Sequence, residues 1–258
     1  MATYKKRGYK QPKPKNEEEK DELFEGESTT AEVFNTLDEG ASKTEAWVEK
    51  NQKGILIVVG IIAVAVLGYL GYQQWVQGPK EAEAMDEMFQ AQQFFEQALG
   101  NETVSDSLYD LSLNGGRGKY GFLDIIDNYG STKAGNLAEY YAGMAYLNTN
   151  NYQEAINHLD NFNSDDEMLA PLAKGAIGDA FAQLDQKEEA LGYYEEAATM
   201  RSNDVTTPRF LLKAGIIALN LGKPDVAHKH FDALEKQYPK STEAKKAVAY
   251  KGKVGAMQ

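Results

Sequence analysis

Between Lys53 and Lys80 the chain has no charged side chain, and from Gly54 to Tyr72 it reads GILIVVGIIAVAVLGYLGY. As a helix rising about 1.5 Å per residue this stretch is roughly 28 Å long, close to the ~30 Å hydrocarbon core of a bilayer. Eleven of its residues are Ile, Leu or Val, and together they favour insertion by roughly 3 to 7 kcal/mol. A helix packed into a soluble protein keeps a polar face, and none interrupts this run. A cleaved leader is not expected, given the late start, the length and the missing small-x-small step at the end. Tyr69, Tyr72 and Trp75 gather at the far end, as interfacial rings do. The run predicts a transmembrane helix over 54–75, with the lipid bilayer as its partner. Gly54, Tyr72 and Trp75 lie at its ends, and Gly60, Gly68 and Gly71 are small-residue positions along it.

The flanking lysines set the expected orientation. Lys43, Lys50 and Lys53 precede the run within 20 residues, and only Lys80 follows within 20. Positive charge stays on the cytoplasmic side, so the N-terminus is expected in the cytoplasm and everything after Pro79 across the membrane. Residues 1–27 are basic up to Lys15 and acidic from Glu17 to Glu27. With no periodic apolar face they are expected to form a disordered cytoplasmic tail, whose basic part suits anionic lipid or ribosomal RNA. Residues 28–53 are expected to be an amphipathic helical segment. Thr29 and Glu32 have capping-box spacing, Val33, Phe34 and Leu37 follow helically, and Gly40 is expected to end a first short helix.

Residues 80–258 carry 17 basic and 27 acidic side chains. An acidic balance argues against nucleic acid as the main partner, because phosphate contacts need positive surface. There is no cysteine, so disulfides, thiol nucleophiles and cysteine metal sites are excluded. The stretch from Lys80 to Leu99 reads as an amphipathic helix with Met85, Met88, Phe89, Gln92 and Phe95 at helical spacing. Residues 100–121, rich in Gly, Asn, Ser and Asp, read as a flexible connection. Gly115–Gly118 is no phosphate loop, since no Gly-Lys-Ser/Thr follows. Within that connection Asp106-Ser107-Leu108 has the form of a short O-glycosylation acceptor, with Ser107 as the candidate.

A repeat organises the rest. Gly143, Gly178 and Gly215 are followed twelve residues later by Ala155, Ala190 and Ala227, and four further on by Leu159, Tyr194 and Phe231. The periods, 35 and 37, with small residues at these offsets, are the tetratricopeptide pattern. Antiparallel helices cross closely only where small residues sit at the approach, and no single hairpin buries its own face, so hairpins stack. Asn150-Asn151, Asp185-Gln186 and Gly222-Lys223-Pro224 are the expected turns, and 201–208 the loop that absorbs the longer period. Phe122–Tyr129 aligns with Phe231–Tyr238, which predicts a degenerate unit made of a helix over 119–129 and the long 80–99 helix. Residues 241–254 should cap the stack. The expected fold is all-α: a single transmembrane helix followed by a tetratricopeptide-repeat superhelix over 80–258.

No catalytic constellation appears, and the chain is read as a non-enzyme with no cofactor. His228 and His230 point to different faces of one helix, His158 lies in another repeat, and the acid pairs Asp165-Asp166 and Glu188-Glu189 fall at turns. Binding falls to the first helices of the repeats. Their inner positions include Tyr140, Met144 and Leu147, then Gly175 and Asp179, then Arg209, Leu212 and Ile216. The Lys/Asn set that clamps a terminal carboxylate is absent. Tyr140, Met144, Leu212 and Ile216 are expected to form an apolar stripe for a partner helix or an unfolded segment, unless capping helices fill it.

The architecture also resembles the YfgM-type ancillary subunit of the bacterial Sec translocon. The lead-in Trp47-Val-Glu-Lys-Asn-Gln-Lys53, the closing Tyr72-Gln-Gln-Trp75, Glu81-Ala-Glu-Ala and Asp166-Glu-Met-Leu-Ala-Pro-Leu-Ala173 are similar to that family's span boundaries, post-membrane segment and middle repeats. The resemblance covers roughly 45–255. It implies a bacterial inner-membrane protein with a periplasmic repeat domain. Its implied partners are SecYEG, a PpiD-like periplasmic chaperone and nascent secreted polypeptides. A generic membrane-tethered scaffold for envelope assembly remains the alternative. An organelle receptor with cytosolic repeats is disfavoured by the charge bias.

Overall fold

A computed structural model describes residues 29–100, 103–116 and 118–255, giving the backbone alone over 29–44, 46 and 253–255. The tail expected over 1–27 lies outside the described residues. Contacts divide the chain into two units, 1–68 and 69–258.

The described residues of the first unit belong to one helix. α1 (Thr29–Tyr72) runs without a break through Gly40, so the expected stop there is absent. A lone glycine costs a helix about 1 kcal/mol relative to alanine, too little to end one flanked by Leu, Glu, Ala and Lys. The apolar run is bare all round: Ile61, Val64 and Leu67 are 64, 71 and 68 % exposed. The helix is long and apolar enough to cross a membrane, and no protein surface covers it.

In the second unit a π-turn over Gln73–Gln77 follows, in which the Gly78 N–H reaches the Gln73 carbonyl. The physical cause is Pro79, which has no N–H to return to the Trp75 carbonyl four residues back, so the ladder opens here. Ten helices come next: α2 (Gly78–Leu99), α3 (Ser105–Asn114), α4 (Phe122–Tyr129), α5 (Lys133–Asn148), α6 (Tyr152–Asn161), α7 (Leu169–Gln183), α8 (Lys187–Thr199), α9 (Thr206–Asn220), α10 (Pro224–Gln237) and α11 (Thr242–Gly255). No strand occurs among the described residues.

The expected hairpins are α5/α6, α7/α8 and α9/α10. At each crossing the glycine faces the large residue sixteen positions on. A Cβ on Gly143, Gly178 or Gly215 would stand 2.5, 2.8 and 2.3 Å from Leu159, Tyr194 and Phe231. Ala155, Ala190 and Ala227 are fully buried. The turns repeat in detail. Asn150, Asp185 and Gly222 all adopt positive φ, at 63, 58 and 67°. In each, that residue's N–H and the next one's return to the carbonyls three and five positions back, as Asn151 does to Tyr146 at 2.9 Å. This is the Schellman closure, and Gly, Asn and Asp are the residues that tolerate its left-handed position.

Four expectations change. The 100–121 connection contains α3, which buries Tyr109 and Leu113 four residues apart and sets Tyr109 edge-on to Phe95 at 5.5 Å. Ser/Asp-rich composition hid this two-turn apolar face, and Asp106-Ser107-Leu108 therefore lies in the first turn of a helix and not in a loop. The 119–129 helix begins only at Phe122, after a tight turn that bridges Gly116 and Lys119, and α2 packs chiefly on α3. On α2 the buried residues are Ala84, Met88, Ala91, Phe95 and Ala98, while Met85 and Phe89 are 46 and 59 % exposed. The surplus loop is shorter than 201–208, since Thr206, Thr207 and Pro208 form the buried first turn of α9.

α2 is tied to the repeats by polar contacts as well. Both Glu81 carboxylate oxygens accept from the start of α5, from Lys133 N at 2.7 Å and Ala134 N at 2.9 Å. The Gln77 amide donates to the Ser131 carbonyl at 2.8 Å. The first turn of α5 is thus capped by its own Thr132, which accepts from Gly135 N at 2.9 Å, and by Glu81, 52 positions before Lys133 in sequence.

Candidate functional site

The first helices α5, α7 and α9 pack side by side, and this lateral packing decides which inner positions stay open. Leu212 is only 8 % exposed, inside the core shared by α8, α9 and α10. Met144, Leu147 and Ile216 are half-buried and wedged against neighbouring core side chains. Tyr140 is half-buried, with its ring 5.2 Å from Phe162 and 5.9 Å from Tyr141. Of the apolar stripe expected from Tyr140, Met144, Leu212 and Ile216, Leu212 is withdrawn into the core, and the other three are half-buried against neighbouring side chains. Gly175, counted among the inner positions, lies under Phe210, where a Cβ would come within 1.9 Å of the ring.

What this face brings together is polar. Asp179 on α7 accepts at one carboxylate oxygen from the Tyr194 hydroxyl of α8, at 2.6 Å, and from the Lys213 ammonium of α9. The Lys213 ammonium also lies 5.5 Å from the centre of the Tyr194 ring. Burial, reinforced by the Asp179 charge and the hydrogen bond to it, pushes the Tyr194 phenol far above its ordinary range, so it stays protonated and able to donate. Burial likewise raises Tyr140, and the Arg209 charge pulls weakly the other way on both phenols. Arg209 itself is exposed. Its guanidinium lies 5.8 Å from the Phe210 ring centre, and it makes no ion pair among the described residues. Asp179 and Arg209 were legible as inner positions. Lys213 and Tyr194 were not read as their partners, since Tyr194 registered only as a large packing residue.

The histidines stay apart, each beside its own carboxylate. His158 Nδ1 is 2.6 Å from Glu139, His230 Nε2 is 2.8 Å from Glu195, and His228 Nδ1 is 3.7 Å from Asp232. No group of three metal-ligating side chains occurs among the described residues. His158 and His230 hold the same place two repeats apart, a register that the two periods already contained. Beside His230 opens a cleft of about 480 Å³ lined by Glu195, Thr199, Ser202, Thr207 and Lys229, which sequence reasoning missed. The pair Asp165-Asp166 does structural work. Asp166 accepts from the Met168 and Leu169 N–H groups, both at 2.8 Å, to cap α7, and these bonds hold its carboxyl below the usual range. Asp165 pairs with Arg201 at 2.9 Å. The described geometry pairs no nucleophile with a base.

The stretch from Tyr120 to Gly252, more than half of the chain, matches the family described as T7SS, ESX-1 secretion system protein EccA1, N-terminal domain. The match opens just before α4 and ends within α11, so it takes in all three hairpins and leaves out α1, α2 and α3. No curated protein matches the chain. Repeat spacing, hairpin geometry and this match agree on a tetratricopeptide-like helical interaction domain, and the chain belongs to the EccA1 N-terminal domain family.

Proposed function

We propose that the chain is a non-catalytic, membrane-anchored subunit that holds a segment of a partner protein on the face formed by α5, α7 and α9. The observation that carries this reading is the exposed, unneutralised Arg209, its guanidinium 5.8 Å from the Phe210 ring centre, on the helix that the Asp179–Lys213–Tyr194 lock ties to α7 and α8. The lock holds three helices in register, leaving a guanidinium free to bind carboxylate or carbonyl oxygens next to an aromatic flank. Arginine and tyrosine are the side chains that dominate such contacts.

Protein secretion is the setting that both likenesses support. The span boundaries and post-membrane segment resemble the Sec ancillary subunit, and the repeat family is named for a protein of the ESX-1 secretion system. In this reading the N-terminus is cytoplasmic and the repeats lie outside the inner membrane. SecYEG stands beside the span, and a PpiD-like chaperone or an emerging polypeptide occupies the repeat face. The test is affinity purification of the gently solubilised full chain, with Arg209→Glu in parallel. Sec channel subunits should co-purify with the parent, and the extracytoplasmic partner should be lost in the variant. Envelope-assembly proteins in place of Sec subunits would support the generic scaffold, and unchanged recovery by Arg209→Glu would remove this face as the interface.

A further inference from the structure

The cleft beside His230 opens where α8, α9 and α10 meet, and its volume of about 480 Å³ is that of a ligand site. A second cavity of about 450 Å³, lined by Lys240 and Ser241, adjoins it at Gln237, which borders both. Lys229 and Gln237 stand eight residues apart on α10, about 12 Å along the helix. The two cavities therefore make a trough too long for a single amino acid. An extended segment of about four residues spans the distance from Lys229 to Gln237.

The acidic groups of the cleft are already engaged. Glu195 lies 2.8 Å from His230 Nε2, and Glu196 lies 3.7 Å from the Lys174 ammonium. Thr199 donates to carbonyls of its own helix, and Thr207 accepts from the Asn203 N–H. What remains can donate. Lys229, Ser202 and Gln237 are exposed, and their side chains make no hydrogen bond or ion pair among the described residues. The His230 ring is nine-tenths buried in the cleft lining, and only its Nε2 has a partner among the described residues. An ammonium, a hydroxyl, an amide and a ring nitrogen that donates when protonated suit a carboxylate. Leu211 and Ala233, in the same lining, suit the methylene stem of its side chain.

The charge distribution points the same way. Residues 221–258 carry eight lysines against four acids, whereas 80–220 carry nine basic against 23 acidic side chains. An anionic segment is repelled by most of this domain and drawn to its C-terminal end. In the second cavity Asp204 offsets Lys240, so the unbalanced positive charge of the trough is Lys229. We propose that the trough binds an acidic segment of a partner polypeptide in extended form, with an aspartate or glutamate carboxylate on Lys229. The second helices α8 and α10 supply most of the site, and it stands or falls separately from the Arg209 face.

The probe is a short fluorescein-labelled Gly/Ser peptide with glutamate at every fourth position, read by anisotropy against the full-length protein in detergent. The same peptide with glutamine at those positions is the control, and free glutamate is a competitor. The acidic peptide should bind saturably, about tenfold tighter than the glutamine peptide, and Lys229→Glu should weaken it by about tenfold. Lys229→Arg should retain binding. Lys245→Glu, the same charge change at an exposed position of α11 outside the trough, should leave it unchanged, as should Arg209→Glu. Circular dichroism of each variant should match the parent. Absence of saturable binding, equal affinity for the two peptides, or an equal loss in Lys245→Glu would overturn the proposal. So would a loss in Arg209→Glu alone, which would place the segment on the first helices, or displacement by free glutamate as strong as by unlabelled peptide.

Discussion

Replacing Gly178 by leucine tests the crossing on which every hairpin depends. A Cβ at Gly178 would stand 2.8 Å from both Cδ1 and Cε1 of Tyr194, already inside contact distance before the rest of the leucine is added. The ring cannot swing clear easily. It is 3 % exposed, near-parallel to Phe210 at 6.4 Å, and tethered through its hydroxyl to Asp179 at 2.6 Å. Overpacking of this kind costs about 1–3 kcal/mol, and displacing the hydroxyl forfeits a bond to a charged acceptor worth about 1.5–3 kcal/mol. Removing a mid-helix glycine returns roughly 0.8 kcal/mol of helix propensity. A net loss near 3 kcal/mol should lower the unfolding midpoint by roughly 6–12 °C in a domain of this size. The assay is thermal unfolding of the full chain in detergent, followed by circular dichroism and by tyrosine fluorescence. The control is Gly192→Ala on α8, an exposed site where a Cβ meets nothing within 4 Å, which should leave the midpoint unchanged or raise it slightly. An unchanged midpoint for Gly178→Leu, or a loss as large for Gly192→Ala, would refute the argument that the glycines exist for close approach.

Glu81→Ala should cost about 1–2 kcal/mol, since two N–H groups at the start of α5 lose their acceptor; hydrogen exchange should show faster opening of that first turn. Acid should weaken the C-terminal end of the stack. Asp232 is held below its ordinary range first by the hydrogen bond from Lys251. Its contribution is therefore full above the unfolded carboxylate value near 4 and fades as pH falls through the folded one. Lys251→Met should flatten the fall of the unfolding midpoint below about pH 4, and an identical acid profile would count against the pair. For topology, a cysteine in place of the exposed Lys240 should react with an impermeant thiol reagent in spheroplasts, and one in place of Glu45 should not; the reverse would invert the proposed orientation.

The features that were legible in the chain are those whose cause lies within one helix or one hairpin. An uncharged run of bilayer length is apolar on every side whatever surrounds it, so the apolar part of α1 needed no tertiary partner to be recognised. The register Gly178, Ala190, Tyr194 encodes a crossing because small meets large at a fixed offset, and the turn at Asp185 encodes its left-handed residue locally. α3 was missed because its polar composition masks an apolar face only two turns long, Tyr109 and Leu113, that gains meaning from Phe95 across from it.

The candidate site was beyond reach for the same reason. Helical phase places Leu212 and Met144 on an inner face, but only the stacking of neighbouring helices says that Leu212 is buried and Met144 half-buried there. The same packing sets Lys213 against Asp179, 34 positions away. Likewise, Glu81 reads as an ordinary surface acid until the fold delivers the unsatisfied N-terminus of α5 to it. Helical periodicity is a short-range property of the backbone, and so it is written in the chain. Which of two apolar faces of α2 is buried, and which charge meets which, depends on contacts between residues distant in sequence, and these exist only once the helices have stacked.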